Sequence, residues 1–458
     1  CTLIAEAVQK RSLYIAFNKS IAEEAKEKFP SYVDCRTLHS LAYQAIVAPE
    51  KMYKKVSSFF DTKEFIDLYG DQLDNLPASE VIEVVYKVLD IIKAFCQSDA
   101  LQLEEFVKEF LEYDKLSYEY FTPLVLQAWA AITSKSSTVK MTHDVYMKMY
   151  QLSGPNLEEY EVIYLDEYQD SNPVTLDIVY NQTSSQLIVV GDTYQSIYEW
   201  RGAVNAFNSI PDSFYNLYLT ESFRFTPAIA EIATKLTNIA GNDRPIIGKA
   251  LDKPVKTKAV LCRTNVSILN YLLDAVQNKE KVFVLADLQD LWSKMYHISA
   301  LASGNKPRYA NADLRRFNNM QELFVEAEHN PTLKKLLNIS QKLMLGRGTH
   351  GNIVAIKEIL ADSPEQASFT IATGHKSKGL EWDEVQLDED MLSLQDDYDR
   401  EAEISVIDAL RKNQTLNLLY VAVTRAKYRV ILPASIQDVL NSSSELRQLW
   451  SLKDSEID

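Results

Sequence analysis

Asp166 and Glu167 stand side by side at the end of an apolar run, Val162, Ile163, Tyr164 and Leu165, within EVIYLDEYQD. Such a β-favouring run reads as a buried parallel strand, and its carboxyl end is where open α/β sheets bind ligands. Adjacent carboxylates there can divide the work of phosphate hydrolysis. Asp166 would hold the Mg²⁺ that bridges nucleotide phosphates, and Glu167 would orient or deprotonate the attacking water. A lone Asp-Glu pair after a strand is more often just an acidic turn, so the surrounding sequence has to decide. A second apolar strand, 186–190, runs into GDTYQSIYEWRGA at 191–203. Gly191 and Asp192 punctuate its end, and Gln195 is a neutral group able to sense a γ-phosphate. Tyr198, Trp200 and Arg201 add flat π faces and a guanidinium, a mixture suited to single-stranded nucleic acid, whose unpaired bases stack on aromatics.

With these residues in view, DEYQD followed by GDTYQSIYEWRGA resembles motifs II and III of the UvrD/Rep-like superfamily 1A DNA helicases. Further segments resemble the remaining motifs in order. AFNKSIAEEAKEKFP is similar to motif Ia and TLHS to motif Ib, which implies that Asn18, Thr37 and His39 contact single-stranded DNA. On their own chemistry Asn18 and Thr37 read as helix caps and His39 as a core histidine. In YLTESFRFTPAIAEIA, Arg224 resembles the motif IV arginine that reaches the γ-phosphate, and Phe223 the aromatic over adenine. Alone, such an arginine would be a solvated turn residue. AVLCRTN, 259–265, is similar to motif IVa. FTIATGHKSKGLEWDEVQL resembles motif V, offering Thr373, His375 and Lys378 to a DNA backbone and Glu381 to the nucleotide ribose. NLLYVAVTRAK resembles motif VI, with Arg425 at the arginine-finger position. A guanidinium arriving from an opposite domain stabilises charge on the transferring phosphoryl only in a closed cleft. The family places acidic residues just before motif VI, whereas Gln414 and Thr415 stand here.

The elements that must position these residues follow. The resemblance implies an α/β fold with two RecA-like parallel-sheet domains and two mainly helical insertions. Domain 1A would comprise 1–44 and 155–222, insertion 1B 45–154, domain 2A 223–271 and 367–458, and insertion 2B 272–366. The sequence opens on a helical pattern, then a strand at 12–17 and a helix from Asn18. Segment 45–154 carries amphipathic helices at 80–96, 103–113 and 123–132, and its aromatics, Trp129 among them, read as core. Thr226 and Pro227 start a helix after Arg224. The glycine-rich GRGTHGN, 346–352, lacks a following Lys-Ser/Thr and reads as a loop. The short second insertion and the LADLQDLW stretch are similar to the F-box DNA helicase branch, although no F-box segment stands in the sequence.

Composition sets outer limits. A chain of 458 residues exceeds a single core and predicts two to four domains. Cys1, Cys35, Cys96 and Cys262 are scattered without a CxxC, which argues against a disulfide framework or a zinc site and for a reducing compartment. With no membrane-spanning run or signal pattern, an intracellular setting is expected: cytoplasm or nucleoid, or the nucleus of a eukaryote. The net charge of −16 disfavours coating nucleic acid by bulk charge, but not a local stacking groove. GxxxxGK followed by Ser or Thr does not occur among the 12 glycines. The first helix resembles the one that follows that phosphate loop, so the sequence is expected to start mid-chain, just after it, and as it stands to be ATPase-dead.

The function implied by the resemblance is ATP- and Mg²⁺-dependent translocation on single-stranded DNA with 3′ to 5′ unwinding of partly duplex DNA. The protein would work as a monomer or weak oligomer away from membranes, in DNA repair, recombination or replication. The competing expectation is a non-catalytic single-stranded-DNA-binding relic or subunit. A nuclease-coupled helicase would need another chain, since no nuclease-like cluster follows motif VI.

Overall fold

A computed structural model describes residues 1–197, 205–305, 307, 311, 313–392 and 414–441. The chain divides into two compact units, 1–214 and 215–458. In the first, strands β1 (Ser12–Ala16), β2 (Val33–Thr37), β3 (Val162–Leu165) and β4 (Gln186–Val189) form a sheet in the order β2-β1-β3-β4. All its pairings are parallel. The period-two alternation of strand side chains sorts the apolar residues onto two covered faces. Leu13, Ile15, Ile163 and Leu165 face the larger core, and Tyr14, Ala16, Val162 and Tyr164 face the smaller one with Ala22 and Ala25.

Asn18 ends β1 and caps the helix Lys19–Lys28, its Oδ1 accepting from Ile21 N at 2.9 Å. Thr37 ends β2 and caps Leu38–Ala42, its Oγ1 accepting from Ser40 N at 3.1 Å. Between β2 and β3 every named element is helical, the longest being Ala78–Gln97 and Lys115–Thr133. The helix expected to begin at Pro123 starts earlier, because Asp114 caps it by accepting from Ser117 N at 2.9 Å, and Pro123 lies in its interior. Trp129 packs edge-on against Phe95 with centroids 5.4 Å apart, a core contact as its sequence context suggests.

A buried lysine ties this helical segment to the helix that follows β3. Lys148 donates to the carbonyls of Ser98 (2.9 Å) and Ala100 and to Gln151 Oε1 (2.7 Å). Gln151 in turn donates to Asp177 Oδ2 at 2.8 Å, on the helix Pro173–Tyr180. Burial lowers the Lys148 ammonium to about 8.

The second unit holds β7 (Lys258–Cys262), β8 (Val282–Leu285), β9 (Phe369–Thr373), β10 (Trp382–Leu387) and β11 (Ala426–Ile431) in the order β11-β10-β7-β9-β8, again all parallel. A two-stranded parallel pair, β5 (Glu221–Ser222) and β6 (Ile247–Gly248), stands beside it. Strand β8 lies inside 272–366, so part of the expected insertion is an edge of the main sheet. The helical stretch proper begins at Gln289. GRGTHGN, expected as a loop, is a tight turn leading into the helix Gly348–Ile359. Gly346 and Gly348 take positive φ values of 63° and 71°, which a residue with a Cβ rarely adopts. Asn352 Nδ2 then satisfies the carbonyls of Leu343 (2.8 Å) and Leu345 (3.1 Å). Among the described residues no helix is long and apolar enough to cross a membrane.

Removing the Lys148 ammonium leaves three buried or half-buried acceptors without this donor, so Lys148→Met is expected to destabilise the first unit by about 2–3 kcal/mol. Urea unfolding of the variant beside the parent checks this.

Candidate nucleotide and nucleic-acid site

Because the first sheet is wholly parallel, every strand ends at the same edge. Asn18, Thr37, Asp166 and Asp192 therefore follow the carboxyl ends of β1, β2, β3 and β4 along one side of the sheet. Asp166 is half-buried there. Its Oδ1 accepts from Glu167 N at 3.1 Å and its Oδ2 from the Tyr14 hydroxyl of the neighbouring strand. Burial raises the affinity of this carboxyl for a proton, the Tyr14 hydrogen bond opposes the rise, and the charge of Glu167 adds to it. A partly desolvated carboxylate beside a second one is a hard-oxygen donor pair that a divalent cation neutralises, so these residues fit Mg²⁺.

Glu167 adopts φ 51° and ψ 44°. This left-handed conformation costs a residue with a Cβ roughly 1–2 kcal/mol. Strain of this kind persists where surrounding bonds over-determine the backbone, and here they do. Tyr168 N donates to Val190 O at 3.0 Å, and Gln169 Nε2 donates to Glu167 Oε2 at 2.5 Å. Gln169 is fully buried, and its Oε1 accepts from Asp192 N at 2.9 Å. Asp192 Oδ2 then accepts from Gln195 Nε2, also at 2.9 Å. One amide thus joins the candidate water-orienting carboxylate to the candidate phosphate-sensing loop. Gly191 makes this possible: a Cβ there would come within 2.2 Å of Gln169 Oε1 and 3.0 Å of Tyr168 N. Neither Gln169 nor Tyr14 stood out in the sequence. The polar Gln within a short turn was a signal, whereas Tyr14 looked like any strand aromatic.

His39 is exposed, 4.0 Å from Asp144 and edge-on to Tyr146, rather than a core residue. Tyr198, Trp200 and Arg201 lie outside the described residues.

The second unit sorts its candidates onto opposite edges of its sheet. Thr373 ends β9, with His375 and Lys378 in the turn beyond it, at the carboxyl edge. Glu381 and Arg425 instead precede β10 and β11 at the amino edge, where Trp382 pairs with Ala426 and Trp382 N donates to Arg425 O at 2.9 Å. Arg224 joins them. Its Nε lies 3.3 Å from Glu381 Oε2, while Lys427 Nζ is 2.7 Å from Oε1 of the same carboxylate. Thr226 N donates to Lys427 O at 3.0 Å, fixing the Arg224 turn to the start of β11. The hydrogen bond to Glu381 raises the Lys427 ammonium above its ordinary range. Lys427 was not singled out in the sequence. Phe223 is 78% exposed, an aromatic face available beside this cluster. Arg425 is buried, its guanidinium donating to Val421 O (3.0 Å), Leu380 O (3.4 Å) and Thr424 Oγ1 (3.3 Å).

Elsewhere, Cys262, Asp388 and Asp390 cluster closely enough to suggest a metal centre. Asp390 is instead occupied by Arg263 N (2.8 Å), Thr264 N (3.0 Å) and Ser267 Oγ, with Lys335 at 3.4 Å. This is a structural clamp.

Residues 3–214 match the model of the UvrD/REP helicase N-terminal domain. Over that stretch the chain is similar to the UvrD/Rep helicases. It is similar to F-box DNA helicase protein 1 of Schizosaccharomyces pombe, 29% identical over 93% of this chain and 52% of that protein. F-box DNA helicase 1 of Gallus gallus is 27% identical over 94% of this chain and 46% of the relative. The chain thus spans about half the length of the F-box helicases it matches. A shorter match, 32% identical over 22% of this chain and 14% of the relative, is to ATP-dependent DNA helicase PcrA of Leuconostoc citreum. The matched stretch includes the segments that resemble motifs II and III.

Gln169→Leu is expected to lower steady-state ATP turnover by about 10- to 100-fold, as loss of an outer-shell partner does. Gly191→Ala should do the same by displacing the Gln169 amide, and the double variant should be no worse than either alone. Turnover measurements on the three variants of the full-length gene product check the coupling.

Proposed function

We propose that this chain is the motor of an ATP-dependent single-stranded DNA translocase and 3′ to 5′ DNA helicase. Its two parallel sheets would be RecA-like domains 1A (1–44 and 155–222) and 2A (223–271 and 367–458, with the edge strand β8), interrupted by helical insertion 1B (45–154) and by insertion 2B, whose helical part begins at Gln289. The observation that carries this reading is the bond path from Glu167 through Gln169 and Asp192 to Gln195. A carboxylate that activates water and a loop that leads directly to the strand-stacking Tyr198, Trp200 and Arg201 are thereby mechanically one piece.

In this mechanism Asp166 holds Mg²⁺, which when bound neutralises charge on the β- and γ-phosphates. Glu167 orients the water and accepts its proton, and Gln195 senses the γ-phosphate. Glu381 binds the ribose, Phe223 stacks on adenine, and Arg224 exchanges its contact with Glu381 for the γ-phosphate. Arg425 leaves its carbonyl partners to stabilise charge on the phosphoryl in transfer. Asn18, Thr37, His39, Thr373, His375 and Lys378 grip the strand backbone, so that grip alternates as the nucleotide is bound and hydrolysed.

The test is DNA-stimulated ATPase and unwinding by the full-length gene product with Mg²⁺. The reading expects stimulation by single strands and unwinding from a 3′ overhang only. Tight single-strand binding without hydrolysis would replace the motor by a binding subunit, and unwinding from a 5′ overhang would reverse the polarity.

Arg425→Ala is expected to leave nucleotide affinity near the parent's and slow single-turnover hydrolysis by about 10³-fold, because the group acts on transition-state charge. Stacking on Trp200 at roughly 1–3 kcal/mol per base predicts that Trp200→Ala weakens single-strand binding about 5- to 150-fold in a fluorescence titration, with ATP binding retained.

A further inference from the structure

Tyr14 belongs to none of the motif-like segments, yet its hydroxyl donates to Asp166 Oδ2. The parallel register sets Tyr14 opposite Tyr164, and Asp166 is the next residue of β3's chain on that face of the sheet. A tyrosine is long enough to cover the diagonal distance to the following residue of a neighbouring strand. Ala16, the next side chain along the same face of β1, is small and leaves the path clear. The ring is fixed at its other side by Phe29, with centroids 4.8 Å apart, and Tyr14 is only 5% exposed. The hydroxyl is therefore held at one point, and that point is one oxygen of the candidate metal carboxylate.

We propose that Tyr14 is a positioning residue that fixes the rotation of Asp166 for the divalent cation. The proposal rests on the assignment of Asp166 as the Mg²⁺ ligand. The main-chain bond from Glu167 N anchors Oδ1 alone and leaves the carboxylate free to turn about it. The Tyr14 hydroxyl anchors Oδ2 from a different strand, so both oxygens are placed by the sheet itself. Each carboxylate oxygen offers two acceptor positions, and one hydrogen bond to each leaves the other for a cation. Orienting partners of this kind govern metal affinity by typically 10- to 100-fold. Phenylalanine retains the packing on Phe29 and removes only the anchor.

Binding of Mn²⁺ together with a non-hydrolysable ATP analogue, followed by electron paramagnetic resonance on the full-length gene product, tests this without turnover. Tyr14→Phe is expected to weaken Mn²⁺ binding about 10-fold, while affinity for the analogue in the presence of a chelator and the thermal unfolding midpoint stay at parent values. Asp166→Asn should weaken Mn²⁺ more, and adding Tyr14→Phe to it should have no further effect, since the hydroxyl acts only through that carboxylate. If Asp166→Asn is impaired but Tyr14→Phe stays within about twofold of the parent, Tyr14 does not position the ligand. Losses that add in the double variant, or a fall in chelator-resistant nucleotide binding, would assign Tyr14 a purely structural role. An unchanged Mn²⁺ affinity in Asp166→Asn would instead remove the metal assignment itself.

Discussion

Parallel pairing of β2, β1, β3 and β4 obliges every strand to finish at one edge, and the arrangement of the first unit depends on that constraint. Residues separated by more than a hundred positions become neighbours because their strands share a direction. Tyr14 reaches Asp166, and Tyr168 N meets Val190 O, through register alone. The same constraint requires long crossovers. The chain between β2 and β3 is a helical segment whose apolar residues share one core with a face of the sheet, joined also to the post-β3 helix by Lys148, Gln151 and Asp177.

Within that frame the chemistry is concentrated in a few buried polar bonds. Gln169 is buried at no net loss because both ends of its amide are satisfied, by Glu167 and by the Asp192 main chain. The left-handed turn at Glu167 brings its carboxylate to that amide, and Gly191 leaves the amide room. In a fully satisfied network of this sort, moving one member moves the others. The second unit uses its sheet differently, with polar residues after β9 at one edge and the Arg224, Glu381 and Lys427 cluster at the other. We interpret the two edges as separate strand and nucleotide surfaces.

Much of this was legible in the sequence where local composition carries the signal. Short apolar runs marked β1, β3 and β4, and the Asp166-Glu167 pair at a strand end marked the site. Side-chain caps at Asn18 and Thr37 followed from residue type. What remained illegible depends on register or on competition between local signals. Tyr14 is an ordinary strand aromatic until the pairing sets it beside β3. Lys427 and Glu381 meet only because β10 and β11 run parallel side by side. Pro123 suggested a helix start, but the cap at Asp114 prevailed. The glycines of GRGTHGN suggested a loop, whereas positive φ at Gly346 and Gly348 lets one helix turn directly into the next. The β8 strand was hidden because its four residues are flanked by helical patterns.

We propose that Glu167, held in place by the Gln169 amide, is the group that activates water. Glu167→Gln in the full-length gene product keeps an oxygen and an amide of nearly the same size while removing the charge. Single-turnover hydrolysis with saturating single-stranded DNA and Mg²⁺, alongside nucleotide and strand affinities, measures the consequence directly. The account predicts affinities close to the parent's with hydrolysis slowed by roughly 10²- to 10⁴-fold, the range of general-base contributions. Hydrolysis at the parent rate, or loss of nucleotide and strand binding in step with it, would contradict the account.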